Sequence, residues 1–238
     1  AFFAVFDGHA GSSDVAEDAA AFLGEELAAQ LGDGPLPADA QVANALRAAF
    51  LSINERLRQR QPVGGAVAVV VLLHITAPGE GVVHCANVGD ARSVLCVNGK
   101  ARRLSRDFKA LDPDEHARIR DLGGWVSLRS GGRVCDVLCP CRSLGDFMLA
   151  KYIKPVAHVV HEKIKFNECP FVTLCCDGVW DVLTDQEAVD MLLTLKGNYA
   201  RGAGLLRDAA FLSGSTDNIS ALVVDLAAAA ENNGKGSR

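Results

Sequence analysis

The run Ala66-Val-Ala-Val-Val-Val-Leu-Leu73 constrains the fold of this chain more than any other stretch. Valines fill half of it, and β-branched residues favour strands. A strand turns successive side chains to opposite faces, so a run that is apolar at every position is buried on both. The sheet that holds it must therefore be covered on each side, by helices or by a second sheet. This is the longest apolar run in the chain, and it is far too short to cross a bilayer.

The flanking sequence supplies partners for both faces. Phe2 to Phe6 reads as a short buried strand ending at Asp7-Gly8. Ser12 and Ser13 are candidate caps for a helix whose apolar positions Val15, Ala19, Phe22, Leu23 and Leu27 recur at three- and four-residue steps, with Gly32 and Gly34 ending it. A second amphipathic helix follows Pro37, with Val42, Leu46, Ala49, Phe50, Ile53 and Leu57 on one face. Gln61 to Gly65 is turn material. Strand-like runs then cover Ala66 to Ile75, Val82 to Asn87 and Arg92 to Val97. Asn98-Gly99 signals a tight hairpin into Lys100 to Leu104.

A compact helix is predicted from about Pro113 to Leu122, with Asp112 as cap, Asp114 and Glu115 in an acidic first turn and Gly123 as stop. Arg129 to Cys135 reads as loop, then strand. Phe171 to Cys176 is a further buried strand ending at Asp177-Gly178. Thr184 and Glu187 form a capping box for a helix over Asp185 to Leu195. A helix over about Ala203 to Leu212 and a strand over Ile219 to Leu226 close the domain, placed at residues 1–228, with 229–238 expected to be a disordered tail. Strands come in runs and helices in pairs, which predicts an α+β fold with antiparallel sheets.

Composition removes several functions. Hydrophobic residues make up 49% and charged residues 22%, the balance of an ordinary globular domain. The net charge of −5 is interspersed, so neither nucleic acid nor an anionic membrane surface is an expected partner. The apolar opening Ala1 to Phe6 is interrupted by Asp7 and lacks a basic leader, so it is not read as a signal peptide but as a chain entered within its domain. Eight cysteines without a secretory signal fit a reducing compartment, cytoplasmic or nuclear. Cys135, Cys139 and Cys141 lack the paired spacing of a zinc site. Cys96 and Arg102 fit the Cys-x5-Arg spacing of thiol phosphatases, but Asn98-Gly99 sets them on opposite strands of a hairpin.

Three aspartates sit near strand ends beside turn formers: Asp7-Gly8, Asp177-Gly178 and Asp217-Asn218. If the Phe171 and Ile219 strands pair antiparallel, Asp177 and Asp217 meet at one sheet edge. Carboxylates gathered there repel unless a cation neutralises them, and hard divalent ions are the usual answer. Taken singly, each is also an ordinary turn former.

The local sequences around them carry a resemblance. Phe3-Ala-Val-Phe-Asp-Gly-His-Ala-Gly11 resembles the VFDGHxG motif of the PP2C-type (PPM family) metal-dependent serine/threonine protein phosphatases. Ala86-Asn-Val-Gly-Asp-Ala-Arg-Ser-Val94 is similar to their ANVGDSRAV strand. Leu104-Ser-Arg-Asp-Phe-Lys109 with Asp112-Pro-Asp-Glu115 and Gly123-Gly124 is similar to LSxDHKP…PxExxRIxxxGG. Cys141-Arg-Ser-Leu-Gly-Asp146, Cys176-Asp-Gly-Val-Trp-Asp-Val182 and Ser215-Thr-Asp-Asn-Ile219 are similar to SRxLGD, CDGxWDV and SxDNI(T). The motifs occur in the family's order over residues 1 to 226.

The resemblance implies a four-layer α-β-β-α sandwich and a centre of two Mn²⁺ or Mg²⁺ ions. Asp7 would bridge both ions, Gly8 would offer its carbonyl, and Asp177 and Asp217 would each bind one. Asp90 and Asp181 match positions of a further, weaker ion. His9 matches the proposed general acid, a role that suits an imidazole. The implied reaction is attack on phosphoserine or phosphothreonine in protein substrates by a metal-bridging hydroxide, without a phospho-enzyme. The family also has an earlier segment with a phosphate-binding arginine and further acidic residues, which this sequence does not contain. Phe108 and Ala110 depart from the family's His and Pro, and Gly65 to Val69 lacks its hydroxyls. His74, His84, His116, His158 and His161 read as structural, and Trp125 and Trp180 as core anchors. The alternative function is a phosphatase-like interaction module. The sequence names no particular substrate protein and sets no oligomeric state.

Overall fold

A computed structural model describes residues 1–10, 14–60 and 62–233. Two antiparallel sheets lie face to face. The first takes its strands in the order β1 (Phe2–His9), β2 (Gly65–Ala77), β3 (Glu80–Val88) and β9 (His158–Lys165), with the two-residue β8 (Leu144–Gly145) also pairing β2. The second runs β11 (Ala221–Asp225), β10 (Phe171–Cys175), β4 (Arg92–Val97) and β5 (Lys100–Arg103). Helices α1 (Asp14–Leu31) and α2 (Asp39–Arg60) cover the first sheet, and α5 (Asp185–Leu193) and α6 (Gly202–Leu212) cover the second.

Strand β2 explains the layering. Ala66, Ala68, Val70 and Leu72 face the helices, where they meet Leu23, Leu46, Phe50 and Ile53. Val67, Val69, Val71 and Leu73 face the other sheet, where they meet Leu95, Val172, Leu174 and Val224. A third apolar layer joins Val94, Cys96 and Phe171 to Val179, Val189, Leu192 and Leu206. The result is the expected α-β-β-α sandwich.

Local signals hold. Asn98 and Gly99 take φ of 49° and 79°, the left-handed pair of a tight hairpin, and set Leu95 opposite Arg102 across the two strands. Cys96 is fully buried, with its thiol pKa pushed up by burial, so it is no phosphate-binding nucleophile. The Asp112 carboxylate accepts from the Asp114 N–H at the start of α3 (Pro113–Asp121), and the Thr184–Glu187 capping box is present in full. The expected caps Ser12 and Ser13 lie outside the described residues, as do Gly11 of the first motif and Gln61.

A separate apolar cluster supports the segment between β5 and β9. Phe108, Ile119, Val134, Cys141 and Ile153 are buried together, beneath the small hairpin of β6 (Val126–Ser127) and β7 (Arg133–Val134). The Arg142 guanidinium lies 3.8 Å from the centre of the Phe108 ring, so the Phe that departs from the family's His is a core residue stacked by a cation.

Several expectations need correction. β1 continues through Asp7 and Gly8 to His9, because its backbone keeps pairing with Val67, Ala66 and Gly65. The closing strand starts only at Ala221. β3 extends beyond the expected Val82–Asn87 to Glu80–Val88 and is buried on both faces from Gly81 onward. β9 had little apolar signal because it is an edge strand carrying Glu162, Lys163 and Lys165, charges that discourage further pairing. The tail expected to be disordered from residue 229 is instead helix α7 (Leu226–Asn233) up to Asn233. Buried Leu226 anchors it, and the Asp225 carboxylate accepts from the Ala228 N–H in its first turn. Trp125 is exposed and donates to Asp136, whereas Trp180 is buried as expected.

Phe50 is fully buried while its neighbour Leu51 is 48% exposed. Phe50→Ala is expected to lower unfolding stability by about 3–5 kcal/mol in urea titration. Leu51→Ala should change it by about 0.5 kcal/mol or less.

Candidate active site

The end of β1 and the β10–β11 pair place the aspartates. In β10 and β11, Cys175 stands opposite Ala221, and the Cys176 N–H extends the ladder to the Ser220 carbonyl at 3.1 Å. Asp177 then opens the single-turn helix α4 (Asp177–Trp180), beneath which the buried Trp180 indole donates to the Cys175 carbonyl. Asp217 arrives from the loop before β11. Gly178 permits this approach, because a Cβ there would stand 2.0 Å from the Asn218 carbonyl oxygen.

Asp7, Cys176 and Asp177 bring side-chain donor atoms within 4.8 Å of one another, an arrangement that could hold a metal ion. The Asp177 Oδ1 is buried without a hydrogen-bond partner. Burial, then the charges of Asp177 and Asp217, push the Asp7 pKa up to about 6. Asp177 is raised by burial and by Asp217 and Asp181. Asp217 itself is exposed, and its carboxylate accepts from the Asn218 N–H at 2.7 Å.

Cys176 differs in kind from the two carboxylates. Its thiol donates to the Asn218 carbonyl, its sulfur accepts from the Ser220 N–H, and burial raises its pKa. It therefore remains a protonated thiol bracing the Asp217 loop. The remaining donors are oxygens, and an orphaned carboxylate oxygen among mutually repelling carboxylates fits a hard divalent cation.

A second acidic pair adjoins the first. Asp90 sits in the turn between β3 and β4, buried, and burial followed by the charge of Asp177 pushes its pKa up to about 7. The Lys109 ammonium lies 2.9 Å from Asp181 and 3.9 Å from Asp90, bridging the two positions assigned by resemblance to a further ion.

On the other side of Asp7, the His9 Nε2 is 2.7 Å from the Asp146 Oδ2. Asp146 is buried, accepts from the Ser143 hydroxyl, and takes a left-handed backbone with φ 49°. The bare Cα of Gly65, opposite His9 in the β1–β2 register, leaves room for that carboxylate; a Cβ on it would lie 2.2 Å from Oδ2. Sequence reasoning assigned no role to Asp146, Lys109 or Cys176. All three stand inside recognisable motifs, but only the fold shows which side chains they meet.

The chain matches the family model described as Protein phosphatase 2C over residues 1–219. It belongs to the protein phosphatase 2C family. It is 34% identical to Probable protein phosphatase 2C 32 of Oryza sativa subsp. japonica, over 95% of this chain and 58% of the rice protein. It is also 34% identical to Protein phosphatase 2C homolog 1 of Schizosaccharomyces pombe, over 94% of this chain and 63% of the yeast protein. The chain thus spans about three fifths of the length of these relatives. Among solved structures, one titled a C. elegans sex determining protein superposes with a TM-score of 0.82 at 26% identity, covering 94% of this chain and 56% of that one. A serine-threonine phosphatase 2C from Toxoplasma gondii superposes with a TM-score of 0.79 at 19% identity, covering 94% and 84%. Both agree with the four-layer sandwich.

The raised carboxylates make stability depend on pH. Asp7 moves from 3.8 to about 6 and Asp90 from 3.8 to about 7, so the folded chain holds protons that the unfolded chain has released. Stability from these groups is present at acidic pH and lost as pH rises from about 4 to about 7. With chelator present, the melting temperature is expected to fall between pH 5 and pH 7.5. Asp90→Asn should flatten that slope, and a slope unchanged by the substitution would refute the assignment.

Proposed function

We propose that this chain carries the catalytic centre of a metal-dependent protein serine/threonine phosphatase. The observation that carries the reading is the set Asp7, Asp177 and Asp217, converging at one end of the sandwich with a buried, unpartnered Asp177 oxygen. Asp7, the Gly8 carbonyl, Asp177 and Asp217 would hold a pair of Mn²⁺ or Mg²⁺ ions. Asp90 and Asp181 would hold a further, weaker one. Such ions supply charge that acidifies water and neutralises a phosphoryl group. Oxygen-only donors suit them, and the protonated Cys176 does not compete.

The chain's own residues do the rest. His9 protonates the departing seryl or threonyl oxygen as the phosphorus–oxygen bond breaks, and recovers its proton from water. Asp146 faces the His9 Nε2, so it fixes the ring's orientation and leaves Nδ1 to carry the proton to the leaving oxygen. Attack by water directly on phosphorus needs no protein nucleophile. That agrees with the burial of Cys85, Cys96, Cys141, Cys169, Cys175 and Cys176. The implied substrates are phosphoproteins.

The test is hydrolysis of p-nitrophenyl phosphate and a phosphothreonine peptide with Mn²⁺ or Mg²⁺. It is run on this chain and on the chain carrying the family's earlier segment before Ala1. Turnover should require metal, vanish in Asp177→Asn and survive thiol alkylation. A folded protein of the longer form with no turnover would leave an interaction module as the better reading.

Asp146 can be separated from the metal ligands. Asp146→Asn keeps its shape but removes the charge facing His9. It should lower kcat by about 10-fold or more with KM nearly unchanged, because protonating the leaving group matters in the transition state.

A further inference from the structure

Lys109 puts a positive charge inside the acidic centre, and nothing in the phosphatase chemistry above uses it. Its backbone is fixed on both sides. The Phe108 N–H donates to the Gly89 carbonyl at 3.0 Å, the Ala110 N–H donates to the Cys139 carbonyl at 3.1 Å, and Lys109 itself forms a bridge with Pro140. Fully buried Asn87 clamps the same stretch. Its side-chain amide donates to the Gly89 and Arg106 carbonyls, and its oxygen accepts from the Arg106 N–H. The turn that carries Asp90 and the segment that carries Lys109 are therefore tied together through their backbones.

The Lys109 ammonium donates to the Asp181 Oδ1 at 2.9 Å and stands 3.9 Å from the Asp90 Oδ2. Asp90 is buried, whereas Asp181 is exposed and the Lys109 side chain is half-exposed, so the ammonium stands between a buried carboxylate and solvent. The charge of Asp177 reaches both Asp90 and Lys109, which makes this pair continuous with the main cluster. Several carboxylates withdrawn from water elsewhere in the chain are held by arginine. Arg92 takes Asp107 and Asp185, Arg103 adds to Asp185, and Arg118 and Arg142 both take Glu115. A guanidinium fork locks a carboxylate through paired bonds, whereas an ammonium is a point charge on a flexible stem. Asp90 and Asp181 are thus paired with the cation that is easier to displace.

We propose that Lys109 is a tethered competitor of the further ion: its ammonium holds Asp90 and Asp181, and an ion enters that pair only by displacing it. The proposal rests on the phosphatase reading, which gives the pair to that ion. Two carboxylates already sharing a positive charge attract a divalent ion less than two bare ones do, and the ion's second charge is what favours the exchange. Occupancy of the further position then follows the concentration of free divalent ion. The set Asp7, Asp177 and Asp217, with which Lys109 makes no ion pair among the described residues, fills first.

The test is a Mn²⁺ titration of the 238-residue chain, with free Mn²⁺ counted from its electron paramagnetic resonance signal, so that turnover does not enter the readout. The unsubstituted chain should show a tight class of ions and a weaker one. Lys109→Gln keeps a long polar side chain and removes the charge. It should tighten the weak class by at least about 10-fold and change the tight class by about 3-fold or less. Lys109→Arg keeps the charge and should leave the weak class as weak as before, or weaker. Adding Asp181→Asn to Lys109→Gln should undo the gain. A half-exposed side chain tolerates either substitution, and melting curves check that the variants fold. A weak class unchanged or weakened by Lys109→Gln, or tightened equally by Lys109→Arg, overturns the proposal and leaves the phosphatase reading standing. Absence of the tight class from the unsubstituted chain sinks that reading, and the proposal with it.

Discussion

The double burial of β2 is the constraint on which the rest of the molecule depends. One strand contributes Ala66, Ala68, Val70 and Leu72 to a helix-facing layer and three valines with Leu73 to a sheet-facing layer. A register slip of one residue would exchange those two sets and misfit both layers at once. With β2 so held, β1 is carried alongside it, and the last three residues of β1 deliver Asp7, Gly8 and His9 at fixed height. Gly65 at the start of β2 then faces two ways, toward His9 on one neighbour and Gly145 on the other. The His9–Asp146 contact is therefore a consequence of strand register, not of a flexible loop finding its partner.

Much of this was legible in the sequence, for identifiable reasons. The apolar runs of β2 and β10 and the helical spacing of α2 are strong periodic signals, and the structure places all of them in core layers. Asn98-Gly99 and Thr184–Glu187 specify local geometry without tertiary help. What was missed depends on tertiary neighbours. β9 forms because β3 offers a pairing edge, not because its own residues are strongly apolar. α7 forms because Leu226 finds a buried place beside β10 and β11.

The site was legible only in part for the same reason. Asp7, Asp177 and Asp217 could be brought together on paper by assuming that two strands pair, and β10 and β11 do pair. No pattern along the chain could show that Lys109 would lie between Asp90 and Asp181, or that His84 and His161 would share one carboxylate. Such pairings join residues far apart in sequence, and only the sheet order brings them together.

The carboxylates of this protein divide by the company they keep. Asp185 accepts from Arg92 and Arg103, Asp112 from Arg106, and Glu115 from Arg118 and Arg142, and all three are held below their ordinary pKa despite partial burial. These pairs are satisfied within the protein and have no need of an outside ion. Asp7, Asp90 and Asp177 are likewise partly or wholly withdrawn from water, yet they face mainly one another and lie above their ordinary pKa. Arg92 stands in register with Cys175, but its guanidinium is taken up by Asp107 and Asp185 rather than by these carboxylates. The fold instead concentrates negative charge where β1, β10 and the Asp217 loop meet, and it places near that charge one lysine and one histidine, the latter already engaged by Asp146. Repulsion of this kind supports the proposed cation site, and it distinguishes these aspartates from carboxylates that serve only as turn formers.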